Sequence, residues 1–209
     1  MKKIVILDLN IGNLNSIYNA VSKIYLNVVI SSNLSIIKNS DLIVIPGNGS
    51  FKEAIKNLKS NKLFEFLKEI YKHKKKKVIG ICIGMQILLN SSEEDGYEEG
   101  LSIISGKVQI IKNIKNIDHF CLPHIGWNEV KLIKKNPLLK DVEDNSDFYF
   151  LNSYGCQVSD ANSIIGMTNY SQDIASIINK DNFFGVQFHP EKSLKNGKTI
   201  LKNWIKLSC

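Results

Sequence analysis

The chain has 209 residues, 44% of them apolar and 22% charged, which suits one domain with a real hydrophobic core and excludes wholesale disorder. No apolar run approaches the ~20 residues of a membrane span, and the opening MKKIVILDLN has too short an apolar stretch, broken by Asp8, for a signal peptide, so a cytoplasmic protein off the membrane is expected. The net charge of +7 rests on lysine alone, and a surface without arginine lacks the preferred reader of phosphates and guanine edges, so no nucleic-acid partner is expected.

Short β-branched runs alternate with helical patterns through the first half. KIVILDL (3–9) reads as a buried strand, and LNSIYNAVSKIYL places Leu14, Ile17, Tyr18, Val21 and Tyr25 on one helical stripe. NVVIS and DLIVIPG (41–47) are the next strands. Residues 51–71 carry Ile55, Leu58, Phe64, Leu67 and Ile70 at helical intervals, with a break expected near Ser60 and Asn61. The lysine cluster KHKKKK (72–77) joins that helix to the strand KVIGI and reads as a solvated connection. Such alternation implies right-handed crossovers and a parallel sheet covered on both faces.

Beyond about residue 100, strands come at shorter spacing: GKVQII, NEVKLI, DFYFLNS, IIGMTNY, IASIIN and FFGVQF, which suggests a mixed or antiparallel continuation. The tail is expected to be a closing helix with Leu194, Ile200, Leu201, Trp204 and Ile205 on its inner side. The expected fold is therefore α/β, a mostly parallel central sheet flanked by helices with a mixed second half, forming a single domain over 1–209. The four cysteines, Cys82, Cys121, Cys156 and Cys209, form no C-x-x-C pair, so neither a metal site nor a disulfide framework is expected.

Cys82 stands between glycines at the end of the KVIGI strand. Gly80-Ile81-Cys82-Ile83-Gly84 has the spacing of a nucleophile elbow, G-x-S-x-G, with sulfur in place of oxygen. In that turn the residues two positions either side of the nucleophile must be small, and the following helix, GMQILLNS, aims its N-terminal N–H groups at the thiol. Read alone, a free cysteine is as readily a small buried hydrophobe. A nucleophile needs a base, and of His73, His119, His124 and His189 the last is distinctive. Pro190 biases His189 toward an extended conformation at a strand end. Residues two apart on an extended segment share a side, which lets Glu191 orient the imidazole. Thiol, base and acid then fill the roles of a triad. IPGNGSF (45–51) ends a parallel strand on the same edge and can turn backbone N–H groups toward a developing oxyanion.

PGNGSF, GICIGMQ and QFHPEKS together resemble the class I, triad-type glutamine amidotransferases. DLNIGNLNS, SSEEDGYEEGLSIISGKV, LPHIGWNEV and FYFLNSY resemble, in that order and over nearly the whole chain, the glutaminase subunits of imidazole glycerol phosphate synthase. The resemblance implies that Cys82 attacks the glutamine side-chain amide, that His189 is the base and later protonates ammonia, and that Glu191 orients His189. It implies an oxyanion loop at Gly47, Asn48 and Gly49, and a glutamine pocket around Gln86, Glu94, Ser153 and Tyr154. It implies no metal or organic cofactor. The implied partner is a separate (β/α)8-barrel cyclase in a heterodimer, receiving ammonia to make imidazole glycerol phosphate and an aminoimidazole carboxamide ribotide in histidine biosynthesis. Asn13, Trp127 and Lys192 match interface positions.

Three departures accompany the match. Asn48 stands where the family usually has valine or a similar residue, Asn152 where histidine is common, and Leu9-Asn10 where tyrosine and glycine are frequent. Paralogues with such substitutions supply ammonia for amidating surface-polysaccharide sugars, which is the alternative acceptor. A catalytically silent binding module of the same shape is the third reading.

Overall fold

The computed structural model describes residues 2–47, 49–74, 76–116, 118 and 120–207. Asn48 of the expected oxyanion loop, His119 and Cys209 lie outside the described residues. The first half runs β1 (Ile4–Leu7), α1 (Leu14–Ser22), β2 (Val28–Ser31), α2 (Leu34–Lys38), β3 (Leu42–Ile45), α3 (Phe51–Ser60), α4 (Leu63–His73), β4 (Lys77–Ile81) and α5 (Ile83–Gln86). The second half runs β5 (Ser91–Ser92), β6 (Glu98–Glu99), β7 (Gly106–Ile110), β8 (His124–Leu132), β9 (Ser146–Asn152), β10 (Tyr154–Val158), β11 (Ile164–Tyr170), β12 (Gln172–Lys180), β13 (Phe183–Val186) and α6 (Leu194–Lys206). Among the described residues no helix is long and apolar enough to cross a membrane.

The parallel core has the order β2-β1-β3-β4-β13. Every residue of β1, β3 and β13 is buried, as expected of strands covered on both faces. From β13 the sheet continues through antiparallel pairings with β12, β10 and β7, and reaches β5 and β6 at its edge. β11 bridges β12 to the β8–β9 hairpin. β8 alternates between sheltered and exposed positions over much of its length, so this hairpin keeps one face open to solvent. The sheet is thus parallel in its first half and mixed in its second, as the spacing of the apolar runs predicts.

Several boundaries differ from expectation for identifiable reasons. α1 ends at Ser22, leaving Tyr25 beyond it, because the N–H groups of Lys23, Ile24 and Tyr25 close the last turn on Asn19 and Val21 carbonyls. α5 stops at Gln86 instead of continuing through the apolar run. The carbonyls of Ile87, Leu88 and Leu89 accept instead from N–H groups of residues 101–104, at 2.8–3.1 Å, so a long-range segment takes the place of further helical turns. Leu194, expected on the inner stripe of α6, is 76% exposed and has φ of +47°, which turns its side chain away from the Ile200, Leu201, Trp204 and Ile205 face. α2, β5, β6 and β10 have no counterpart among the expected elements. The break between α3 and α4 falls at Asn61 and Lys62, where Lys62 adopts a left-handed conformation.

Candidate active site

β4 delivers Cys82 to the carboxyl edge of the sheet in a tight turn with a positive φ of +52° and ψ of −109°, a conformation that L residues rarely adopt. Crowding explains the flanking glycines. A Cβ on Gly80 would lie 2.0 Å from the Gly84 carbonyl oxygen, and one on Gly84 would lie 2.1 Å from the Ile45 carbonyl oxygen at the end of β3. Gly47 is equally constrained, because its Cβ would meet the Ile81 carbonyl oxygen at 1.9 Å. The elbow and the loop after β3 are therefore in backbone contact, and only glycine permits it. Ile83 is the first residue of α5, a position whose N–H has no acceptor within its own helix.

The other partners arrive on β13, which lies parallel to β4 with Val186 opposite Ile81. Cys82 N–H donates to Val186 O at 2.8 Å. Past the strand, His189 N–H donates to Tyr149 O at 2.8 Å, which fixes the imidazole's backbone against β9. His189 is extended, with φ −94° and ψ 97°, but residues 190–192 form a 3-10 turn. Glu191 reaches the ring by that turn and not along an extended segment, and its Oε1 lies 2.8 Å from His189 Nδ1, both side chains being 1% exposed.

A carboxylate accepts, so Nδ1 carries a proton and Nε2 is the ring nitrogen left for a second partner. Nε2 is buried and has no partner in hydrogen-bond geometry. Burial pulls the His189 pKa down, but Cys82 and Glu191 beside the ring outweigh it and raise the pKa to about 9. The sulfur thus lies close enough to stabilise the imidazolium without a formed hydrogen bond. Cys82 Sγ is 3.9 Å from Leu151 O and 3.6 Å from Gln187 Nε2.

A cleft of about 300 Å³ opens over the sulfur, and Gly47, Gly49, Cys82, Gln86, Glu94, Ser153 and Tyr154 all line it. Gln86 Nε2 donates to Tyr154 O at 3.0 Å, and its buried Oε1 is left without a partner. Asn152, the departure from histidine, also lines the cleft. It donates to the same Tyr154 carbonyl at 3.0 Å, and its Oδ1 is likewise unpartnered. Glu94 Oε2 accepts from Phe51 N–H at 2.8 Å, at the start of α3. Burial holds the Glu94 carboxyl above its usual range, against the opposing effect of that N–H. Two amide oxygens and a carboxylate give the cleft acceptors suited to a ligand ammonium group.

Of the expected interface residues, Trp127 is 50% exposed and meets Tyr149 edge-on, with ring centroids 6.0 Å apart. Lys192 Nζ lies 5.5 Å from the centroid of the same Tyr149 ring. Asn13 caps α1, its side chain accepting from Ser16 N–H at 3.3 Å. Sequence reasoning missed Pro123 and Leu151 in the cleft wall and gave Gln187 no role. Gln187 did carry a signal, since a glutamine within the apolar run FFGVQF must find buried polar partners. Among the described residues no cluster of side chains could hold a metal ion.

The comparisons agree with one another. The family model for glutamine amidotransferase class-I matches residues 5–207. Imidazole glycerol phosphate synthase subunit HisH of Methanocaldococcus jannaschii is 44% identical over 205 residues, covering 97% of this chain and 98% of that protein. The protein of the same name from Pelagibacter ubique is 40% identical over 208 residues, covering 98% and 99%. Among solved structures, PurLQS from Thermotoga maritima superposes with a TM-score of 0.73 at 15% identity over 99% of both chains, which supports the fold alone. A crystal structure of a glutamine amidotransferase gives a TM-score of 0.74 at 10% identity over 98% of each chain. With its family model spanning 5–207 and relatives above 30% identity over nearly its full length, the chain belongs to the class-I glutamine amidotransferases.

Proposed function

We propose that the chain is the glutaminase subunit of an imidazole glycerol phosphate synthase, hydrolysing L-glutamine and passing ammonia to a separate (β/α)8-barrel cyclase in histidine biosynthesis. The observation that carries the chemistry is the Cys82, His189 and Glu191 cluster beneath a cleft lined by Gln86 and Glu94. Likeness over nearly the whole chain to HisH subunits supports the assignment to that synthase.

In this reading His189 Nε2 holds the proton given up by Cys82, and the thiolate attacks the glutamine amide carbon. The oxyanion that forms is held by the Ile83 N–H and by the loop around Gly49, and the flanking glycines allow both backbones to approach it. The tetrahedral adduct collapses as His189 returns the proton to the departing nitrogen, so ammonia leaves and a thioester remains. Water, deprotonated by His189 Nε2, cleaves the thioester to glutamate, and the sulfur leaves with that proton shared with the ring. Glu191 holds Nδ1 throughout and stabilises the positive ring. Trp127 and Lys192, joined through Tyr149, form the side proposed to meet the cyclase. Asn152 lies in the glutamine cleft, so that departure bears on glutamine and does not favour a sugar acceptor.

The test is glutamine hydrolysis measured with and without the barrel cyclase and its nucleotide ligand. Weak turnover alone, strong stimulation by the partner, labelling of Cys82 by a reactive glutamine analogue, and loss of hydrolysis in Cys82→Ala are expected. Undiminished hydrolysis by Cys82→Ala overturns the chemistry. Stimulation by a sugar-amidating partner instead would move the chain to the alternative acceptor.

A further inference from the structure

We propose that Gln187 is a catalytic residue of this site, donating a side-chain N–H hydrogen bond to the Cys82 sulfur that aims it and stabilises it when charged. The inference rests on Cys82 being the nucleophile, as proposed above. Gln187 is fully buried two residues before His189, and its Nε2 lies 3.6 Å from Cys82 Sγ.

The direction of this bond follows from a chain of amides. The Tyr154 carbonyl can only accept, so Gln86 must turn Nε2 toward it. The second N–H on that nitrogen faces Gln187 at 3.1 Å, so Gln187 must present Oε1 there. Cys156, also buried, places its sulfur 4.0 Å from the same oxygen. With the oxygen committed, the NH2 group of Gln187 has the Cys82 sulfur before it. A flipped Gln187 would set two N–H groups against each other in the interior and an oxygen against the nucleophile, leaving buried donors unsatisfied.

The sulfur then has neighbours of opposite kind. Leu151 O, at 3.9 Å, can accept from a thiol and repels a thiolate. The Gln187 N–H bonds to either and more strongly to the anion. Loss of the proton therefore shifts the sulfur's interactions from the cleft wall to Gln187. The same N–H receives the negative charge again when the thioester breaks and the sulfur departs as thiolate.

The experiment follows Cys82 alkylation by iodoacetamide against pH in the full chain, for wild type and Gln187→Met. Removing a charge-assisted donor is expected to move the profile about one unit toward higher pH, roughly a tenfold loss of reactive sulfur below the midpoint. The kcat for glutamine in the assembled enzyme should fall with it. A purely structural role would lower the folded fraction and leave the profile in place. Should Gln187→Met fail to fold, the wild-type Gln187 side-chain amide is followed by 15N NMR across pH. It should shift in step with thiolate absorbance in wild type and stay flat in Cys82→Ser. An unmoved alkylation profile in folded Gln187→Met, or an amide insensitive to the sulfur's charge, overturns the proposal. Neither the alkylation profile nor the amide shift involves glutamine, so absent glutamine turnover in wild type would count against the glutaminase reading alone.

Discussion

Gly84→Ala tests the idea that the elbow and the proposed oxyanion loop are one rigid unit. The new Cβ would sit 2.1 Å from the Ile45 carbonyl oxygen, 2.9 Å from its carbon and 3.2 Å from the Pro46 carbonyl oxygen, where ordinary contact begins at 3.4 Å. Backbone must therefore separate by about 1.3 Å, because no flexible side-chain end can give way. Overpacking of this kind costs about 1–3 kcal/mol, and a protein of this size loses about 2–4 °C in Tm for each of them. The larger effect is on chemistry. Pro46 leads directly into Gly47 and Gly49 of the cleft, so the displacement moves the loop relative to Cys82. A misplacement near 1 Å in a reacting site is worth about 100-fold in rate. We expect Gly84→Ala to melt a few degrees lower, to keep its far-UV circular dichroism, and to lose about 100-fold in kcat for glutamine. A stable variant with wild-type kcat would refute the claim that this backbone contact sets the catalytic geometry.

Glu191→Gln should keep the fold but lower kcat by about 100-fold or more, because an amide can turn an N–H toward Nδ1 and place the ring's own proton on the face toward Cys82; stopped assays in the assembled enzyme check this. His189 has a folded pKa of about 9 against 6.5 unfolded, so its stabilisation is complete below 6.5 and is lost as pH rises through 9, by at most about 3 kcal/mol. Urea melts from pH 6 to 10 should show that fall, and Cys82→Ala should flatten it. His124 behaves oppositely: burial lowers its pKa to about 4, and it stacks between Phe150 and Tyr170 while Asn128 Nδ2 faces its Nε2 at 3.2 Å. The unfolded state therefore binds its proton first, stability falls as pH drops from 6.5 toward 4, and His124→Phe should remove that acid limb in the same melts. Trp127→Ala should weaken cyclase binding about tenfold or more by calorimetry, as expected for an exposed aromatic anchor.

The parallel half of the fold was legible because strands buried on both faces leave continuous apolar runs, as in IVIL, LIVI and the VIGI of β4. The approach of Gly80 and Gly84 to each other's neighbourhood was legible for a similar reason, since only a crowded turn needs small residues at that spacing. What could not be read is where chain distant in sequence competes for backbone groups. α5 is cut short by residues 101–104, whose N–H groups take the carbonyls that a longer helix would use. Residues 190–192 make a turn where an extended segment was expected, yet Glu191 and His189 still meet, because either path brings side chains two apart within reach. Gln187 stood in a quoted motif, but its direction toward sulfur depends on Tyr154 and Gln86, which no local pattern connects.

β13 enters the sheet between β4 and β12 although it comes last of all the strands in the chain. During synthesis, β4 with its cysteine therefore emerges long before the strand that flanks it, and waits with one side unpaired. An open edge of that kind invites pairing with other chains, and closing it requires a contact across about a hundred intervening residues, which makes the step slow. Under the proposed chemistry the thiol meets its imidazole only once β13 has docked, so a polypeptide not yet extended to that strand has no means of squandering glutamine.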